Sequence, residues 1–212
     1  MSNSNQSYEF LIHSTYGSLK ELNSIKKEQK LRPLTIEEYK EEYDYPPAPF
    51  VYSHYIFSDL NYQPGTMAKL SYTPWVNFLI DIRILKDKPF FICDGVIYGQ
   101  CVTDKKSLLL QGKGNLKKIP SLQKLQTFIN ERLQKNKSKK KYNGYQDYTL
   151  SHEVLIDEIP LSYVFAILIS KNSEEYILKV QNMFPNIPVI SLNINVPTYK
   201  KKLEKLFNKI KH

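Results

Sequence analysis

Three residues and one run of lysines carry the chemistry that this sequence offers. Glu153 lies in "SHEVLIDEIPLSYVFAILIS", residues 151 to 170, where an alternating apolar stretch passes through a short acidic turn into a second apolar stretch. Strand alternation over Thr149 to Ile156 puts Leu150, His152, Val154 and Ile156 on one face and Thr149, Ser151, Glu153 and Leu155 on the other. On that smaller, more polar face a carboxylate can stay ionised beside a cleft, although the same pattern suits an ordinary exposed strand glutamate. His13, near the end of "YEFLIHST", is either a structural hydrogen-bonding histidine or a site group. Tyr55, in "FVYSHYIFSDL", is one of 16 tyrosines and fits cross-strand packing as well as an aromatic platform. The run "KNKSKKK", residues 135 to 141, includes Lys137, Lys139, Lys140 and Lys141. It reads as a solvated mobile loop or as a contact for phosphates or another anionic surface.

The elements that must position these groups are legible as alternating strands and capped helices. "YEFLIHST" puts Tyr8, Phe10 and Ile12 on one face of a strand and Glu9, Leu11 and His13 on the other. Ser18 to Glu21 then forms a capping box for a helix with Leu19, Leu22 and Ile25 as its buried stripe. Thr35 to Glu38 repeats the capping pattern, and the proline block at 44 to 49 ends that second helix. Residues 50 to 60, 76 to 85 and 89 to 93 are rich in β-branched and aromatic residues and read as antiparallel neighbours, with 105 to 112 as a further strand. Ser121 caps a helix carrying Leu122, Leu125, Phe128, Ile129 and Leu133. After the two strands around Glu153 come a helix from about Ser173 to Met183, a short strand near Val189, and an amphipathic C-terminal helix over 196–212 with Leu203, Leu206, Phe207 and Ile210 in one stripe. The expected class is α+β: a single domain, 1–212, with mostly antiparallel strands in a split two-sheet core and flanking helices.

Composition removes several function classes. The net charge of +9 comes from lysine, since only Arg32, Arg83 and Arg132 are arginines, and base readout leans on arginine forks. Cys93 and Cys101 make no disulfide framework, and with the scattered histidines they give no zinc spacing, so free thiols and no metal are expected. Gly112-Lys113-Gly114 lacks the third glycine and the βαβ frame of a dinucleotide fingerprint. The polar start "MSNSNQSYEF" and the absence of a long apolar run predict a soluble, intracellular, cytoplasmic protein with no membrane partner. The wealth of lysine, asparagine, isoleucine and tyrosine fits an AT-rich coding sequence of the kind some parasites and large DNA viruses carry.

Three segments together carry a resemblance. "LIHSTYGSLKELNSIKKEQKLRP" resembles the opening of ADP-ribosyltransferase-fold proteins, where a strand ending in His-x-Thr leads at once into a helix. "SHYIFSDL" is similar to their second, aromatic strand, and "SHEVLIDEIPLSYVFAILIS" to their glutamate-bearing strand. Their order matches, and they span about a quarter of the chain. The resemblance implies a divergent or viral member of the His-aromatic-Glu type, with NAD+ as substrate. His13 would then bond the adenosine ribose, and Thr15 with neighbouring backbone would hold the nicotinamide amide. Tyr55 would stack on nicotinamide, with Tyr52 and Phe57 as alternatives, since the family tyrosine often sits where this chain has Ile56. Glu153 would accept a hydrogen bond from the nicotinamide ribose and stabilise the positive charge that develops as nicotinamide leaves. Ser151 stands where the arginine-modifying branch has a second acid, and Arg32 with lysines only partly replaces the arginines of the RNA 2′-phosphotransferase branch. The acceptor is thus protein, nucleic acid or water. A second possibility is a non-enzymatic basic interaction protein on a degenerate copy of this fold, touching nucleic acid through its lysines.

Overall fold

The computed structural model describes residues 10–15, 17–33, 50–56, 76–94, 102–103, 110–111, 115–118, 121–127, 153–170 and 173–192. The second predicted helix, the 135–141 lysines including Lys137, Lys139, Lys140 and Lys141, Cys101, Phe57 and the C-terminal helix fall outside these residues.

The strands are β1 (Phe10–Thr15), β2 (Lys30–Leu31), β3 (Val51–Ile56), β4 (Val76–Asp81), β5 (Phe91–Asp94), β6 (Val102–Thr103), β7 (Leu110–Gln111), β8 (Asn115–Lys118), β9 (Glu153–Ile156), β10 (Ile159–Pro160), β11 (Val164–Ser170) and β12 (Val189–Leu192). The helices are α1 (Leu19–Glu28), α2 (Ile84–Asp87), α3 (122–127) and α4 (Glu174–Met183). Eight strands form one sheet in the order β12-β11-β4-β1-β3-β9-β5-β8, and β2–β10 and β6–β7 form two small ribbons. The expected division of the core into two sheets is therefore replaced by one large sheet. The reason lies in β3, which pairs with β1 on one side and β9 on the other and so bridges the two groups of strands. The mixed class and the antiparallel bias agree with the sequence reading. The one parallel pair among the described strands, β11–β12, is joined through α4.

Both faces of the sheet's centre are buried. Phe10, Leu11 and Ile12 are all inaccessible, as are Phe78, Leu79 and Ile80 on β4, so β1 and β4 read as apolar runs rather than as alternations. On one face the core joins Leu11, Phe78, Val154 and Ile167 to Leu22 and Ile25 of α1 and to Val180 of α4. Phe78 meets Phe184 edge-on, with ring centroids 6.1 Å apart. On the other face Phe10 meets Phe165 in the same geometry at 6.2 Å, and Phe165 falls at a register shift between β11 and β4. Edge-on aromatic pairs of this kind contribute about 0.5–1.5 kcal/mol beyond the area they bury.

Local chemistry sets the element ends. Ser18, Ser121 and Ser173 each accept the backbone N–H three residues on, from Glu21, Lys124 and Tyr176, and so satisfy one orphan donor at each helix start. Leu19 is exposed, unlike the expected stripe, because the packed face of α1 begins one turn later at Leu22. The strand expected through residue 85 stops at Asp81. There the Asp81 carboxylate accepts the Arg83 N–H at 2.8 Å and pairs with its guanidinium, which turns the chain into α2. A side chain that bonds its own backbone two residues on competes with the strand ladder. No described helix is long and apolar enough to cross a membrane.

Candidate functional site

The turn from β1 into α1 follows directly on His13 and Thr15 and is held by hydrogen bonds at Thr15, Gly17 and Ser18. Thr15 is buried, and its hydroxyl accepts the Gly17 N–H at 3.0 Å. The Glu21 carboxylate accepts the same N–H at 3.2 Å. The predicted capping box thus forms, but its acidic arm reaches one residue further back than the cap itself. Gly17 has φ +66°, a left-handed conformation open chiefly to glycine. A Cβ there would overlap Val76 Cγ2 and come within 2.6 Å of the Tyr176 hydroxyl. That hydroxyl, from α4, donates to the Gly17 carbonyl. Burial, with a smaller contribution from nearby Glu21, pushes the Tyr176 phenol up to about 12. It stays protonated, and a donor, throughout the neutral range.

The three motif strands are neighbours, in the order β1-β3-β9. Residues directly opposite one another on adjacent strands share a face of the sheet. Glu153 is opposite His54 on one side and Cys93 on the other. His54 is opposite Ile12, which is opposite Leu79. A single row therefore runs Leu79, Ile12, His54, Glu153, Cys93 across five strands. Tyr55 is opposite Leu11 and so belongs, with His13 and Thr15, to the alternate set of positions on β1 and β3. The register places His13 and Tyr55 at one pleat parity and Glu153 at the other. Of the aromatics considered, Tyr52 shares the parity of Glu153: it is opposite Leu155, which puts it diagonal to Glu153 at the roughly 7–8 Å typical of such neighbours.

On β9, Leu155, the partner of Glu153 in alternation, is fully buried, as are Val154 and Ile156. Of the face expected to be small and polar, Thr149 and Ser151 lie outside the described residues. β9 itself is an interior strand, paired with β3 and β5. Beside this row, Ser53 is also fully buried, opposite Val154, and its hydroxyl has no hydrogen-bond partner among the described residues. A buried hydroxyl in that state costs about 1–3 kcal/mol.

Sequence reasoning did not single out His54 or Ser53. His54 stands one position from Tyr55 in the same peptide, and only the register tells which of the two shares the row of Glu153. Arg32, considered as a phosphate reader, is committed locally: its Nε donates to both Glu28 carboxylate oxygens at 2.9 Å, Nη1 to the Pro33 carbonyl and Nη2 to Ser24. The Arg32 hydrogen bond, aided by that from Ser24, holds the Glu28 carboxyl below the usual carboxylate range. Among the described residues no group of three His, Cys, Asp or Glu side chains is placed to hold a metal ion.

No protein family matches the sequence, and no curated protein does. Solved structures similar to the chain include DarT of Thermus sp. 2.9 in complex with carba-NAD+, with a TM-score of 0.48, 13% identity, and coverage of 87% of this chain and 95% of that one. The same protein in complex with ADP-ribosylated ssDNA gives a TM-score of 0.46 at 13% identity, covering 87% and 93%. DarTG of Thermosipho africanus in complex with ADP-ribose gives 0.42 at 14% identity, covering 87% of this chain and 50% of that one. These are likenesses of shape only.

Proposed function

We propose that the protein is an NAD+-dependent ADP-ribosyltransferase acting on a macromolecular target. The observation that carries this reading is the adjacency of β1, β3 and β9, which sets the His-x-Thr, aromatic and glutamate segments side by side in the sheet. In the reaction the bond between nicotinamide and ribose C1′ breaks, its electron pair leaving on the nicotinamide nitrogen. An acceptor oxygen or nitrogen then bonds to C1′ and gives up its proton. Glu153 is the group assigned to stabilise the positive charge on the ribose, a role worth roughly 10²- to 10⁴-fold in rate. His13, Thr15 and an aromatic of β3, Tyr55 or Tyr52, are assigned to holding NAD+.

The experiment is incubation with labelled NAD+ and either cell lysate or single-stranded DNA, the acceptor bound by the Thermus protein, with wild type compared against Glu153→Gln. Transfer of label and release of nicotinamide by the wild type, and loss of both in the variant, are expected. Equal transfer by the two proteins, or none from either, overturns the assignment.

One observation favours a second reading, a non-enzymatic basic protein: His13 and Glu153 differ in pleat parity, while the chain carries +9 net charge. That reading requires nucleic-acid binding that weakens steeply as salt rises, since phosphate contacts release counterions. Tight salt-sensitive binding together with no turnover of NAD+ would select it.

A further inference from the structure

We infer that Tyr176 is a positioning residue for the NAD+ site: its hydroxyl fixes the β1–α1 turn in the shape that the nicotinamide end requires. This rests on the NAD+ reading proposed above and extends it to a residue of α4, 159 positions from its partner in the chain.

The inference starts from how little freedom the turn has. Gly17 has its amide shared between Thr15 and Glu21 and its carbonyl taken by Tyr176. Both groups are thus held from within the protein, so Gly17 serves as a pivot. What the pivot controls is the direction in which β1 ends and α1 begins, and hence where His13 and Thr15 stand relative to the start of α1. Thr15 cannot supply this constraint alone, because it belongs to the segment being fixed. The bonds of Ser18 to the Glu21 N–H and of Glu21 to the Gly17 N–H lie within the turn and its helix. Tyr176 is the group that ties the turn to a separate element, and α4 is itself anchored in the core through Val180. The Tyr176 backbone N–H is held in turn by the Ser173 cap, which starts the helix at a defined residue. A donor that arrives from a second packed element, with its phenol kept protonated by burial, is suited to preorganisation and would contribute little to overall packing if only its oxygen were lost.

The test measures NAD+ affinity by calorimetry in wild type, Tyr176→Phe and Leu178→Ala. Tyr176→Phe keeps the ring and removes one hydrogen bond, so a rise in Kd of about fivefold to tenfold is expected, with kcat at saturating NAD+ changed less than about twofold. Leu178→Ala changes an exposed position of the same helix without touching the turn or the core, and its Kd should stay within about twofold of wild type. Amide exchange at Gly17 gives an independent readout and should speed up in Tyr176→Phe alone, because loss of the carbonyl bond frees the pivot. Wild-type affinity in Tyr176→Phe, or equal weakening in both variants, overturns the positioning role while leaving the NAD+ site standing. Absence of NAD+ binding in the wild type overturns the site itself, and this role with it.

Discussion

Glu153 stands directly opposite His54 across the β3–β9 pair. The register continues through Ile12 to Leu79, both buried, so an acid and a histidine occupy adjacent positions of one row across the sheet. Replacing His54 by Ala is expected to lower NAD+ turnover at least about tenfold, within the range for a group that orients or polarises a catalytic carboxylate. Replacing His13 by Ala should act mainly on NAD+ affinity. Turnover measured at saturating and at limiting NAD+ separates the two. An unaffected His54→Ala enzyme would return the imidazole role wholly to His13.

A carboxylate retained for catalysis on a strand whose next three residues, Val154 to Ile156, are buried is kept for function rather than for packing. Glu153→Leu should therefore abolish transfer while raising the unfolding free energy, by about 1 kcal/mol or more. Urea denaturation reports the second effect. A destabilised Glu153→Leu protein would mean that the acid is a structural group with partners of its own.

Ser53 provides a companion case with the opposite chemistry. Its hydroxyl is buried without a described partner, so Ser53→Ala should be neutral or stabilising by up to about 1 kcal/mol. The midpoint of thermal unfolding decides it. A loss of several degrees would show that the hydroxyl has a partner after all.

Gly17→Ala combines a left-handed backbone with overlap onto Val76, and about 2–4 kcal/mol of destabilisation is expected from strain plus displacement. Chemical denaturation at a single temperature suffices to measure it. A cost below about 0.5 kcal/mol, the level of an ordinary surface change, would contradict the geometry of the turn.

Acid should weaken one tertiary link in a predictable direction. Hydrogen bonds from Lys30 and then Lys88 hold the Glu158 carboxyl below the ordinary glutamate value of 4.5, with contacts at 2.6 and 3.1 Å. A carboxyl more acidic in the folded state than in the unfolded one stabilises the fold above about pH 4.5, and that contribution is lost as pH falls through the folded value. Glu158→Gln should therefore flatten the acid limb of a stability profile recorded from about pH 6 to about pH 3. An unchanged acid limb would show that water already screens the pair.

The parts of this fold that could be read in the sequence are those decided locally. The caps at Ser18 and Ser121 depend on a side chain and a backbone N–H three residues apart, and each formed where the pattern placed it; Ser173, expected only as the approximate start of a helix, caps it in the same way. The strand over 76–85 shows the limit of periodicity: its alternation continues to Leu85, but the Asp81–Arg83 interaction ends the strand four residues early. Site geometry was less legible because register is a non-local property. Strand spacing offers Tyr55 and His54 equally, and only the pairing of β3 with β1 and β9 assigns one to each parity. The burial of Leu155 was hidden for the same reason, since alternation in one strand says nothing about what covers it.

The strand order also dictates when the molecule can exist. The centre of the sheet, β4-β1-β3, comes from the first 81 residues, and the strands that close it on either side, β11 and β9, come from the last 60. During synthesis the N-terminal strands must wait, with apolar surface uncovered on both edges, until the chain beyond Glu153 has emerged. Pairings this distant make folding slow and leave the nascent chain exposed to aggregation. The Tyr176–Gly17 bond is among the last links to become available. A ribosome-stalled chain ending before β9 would therefore contain the His-x-Thr segment complete in sequence and unable to hold its shape.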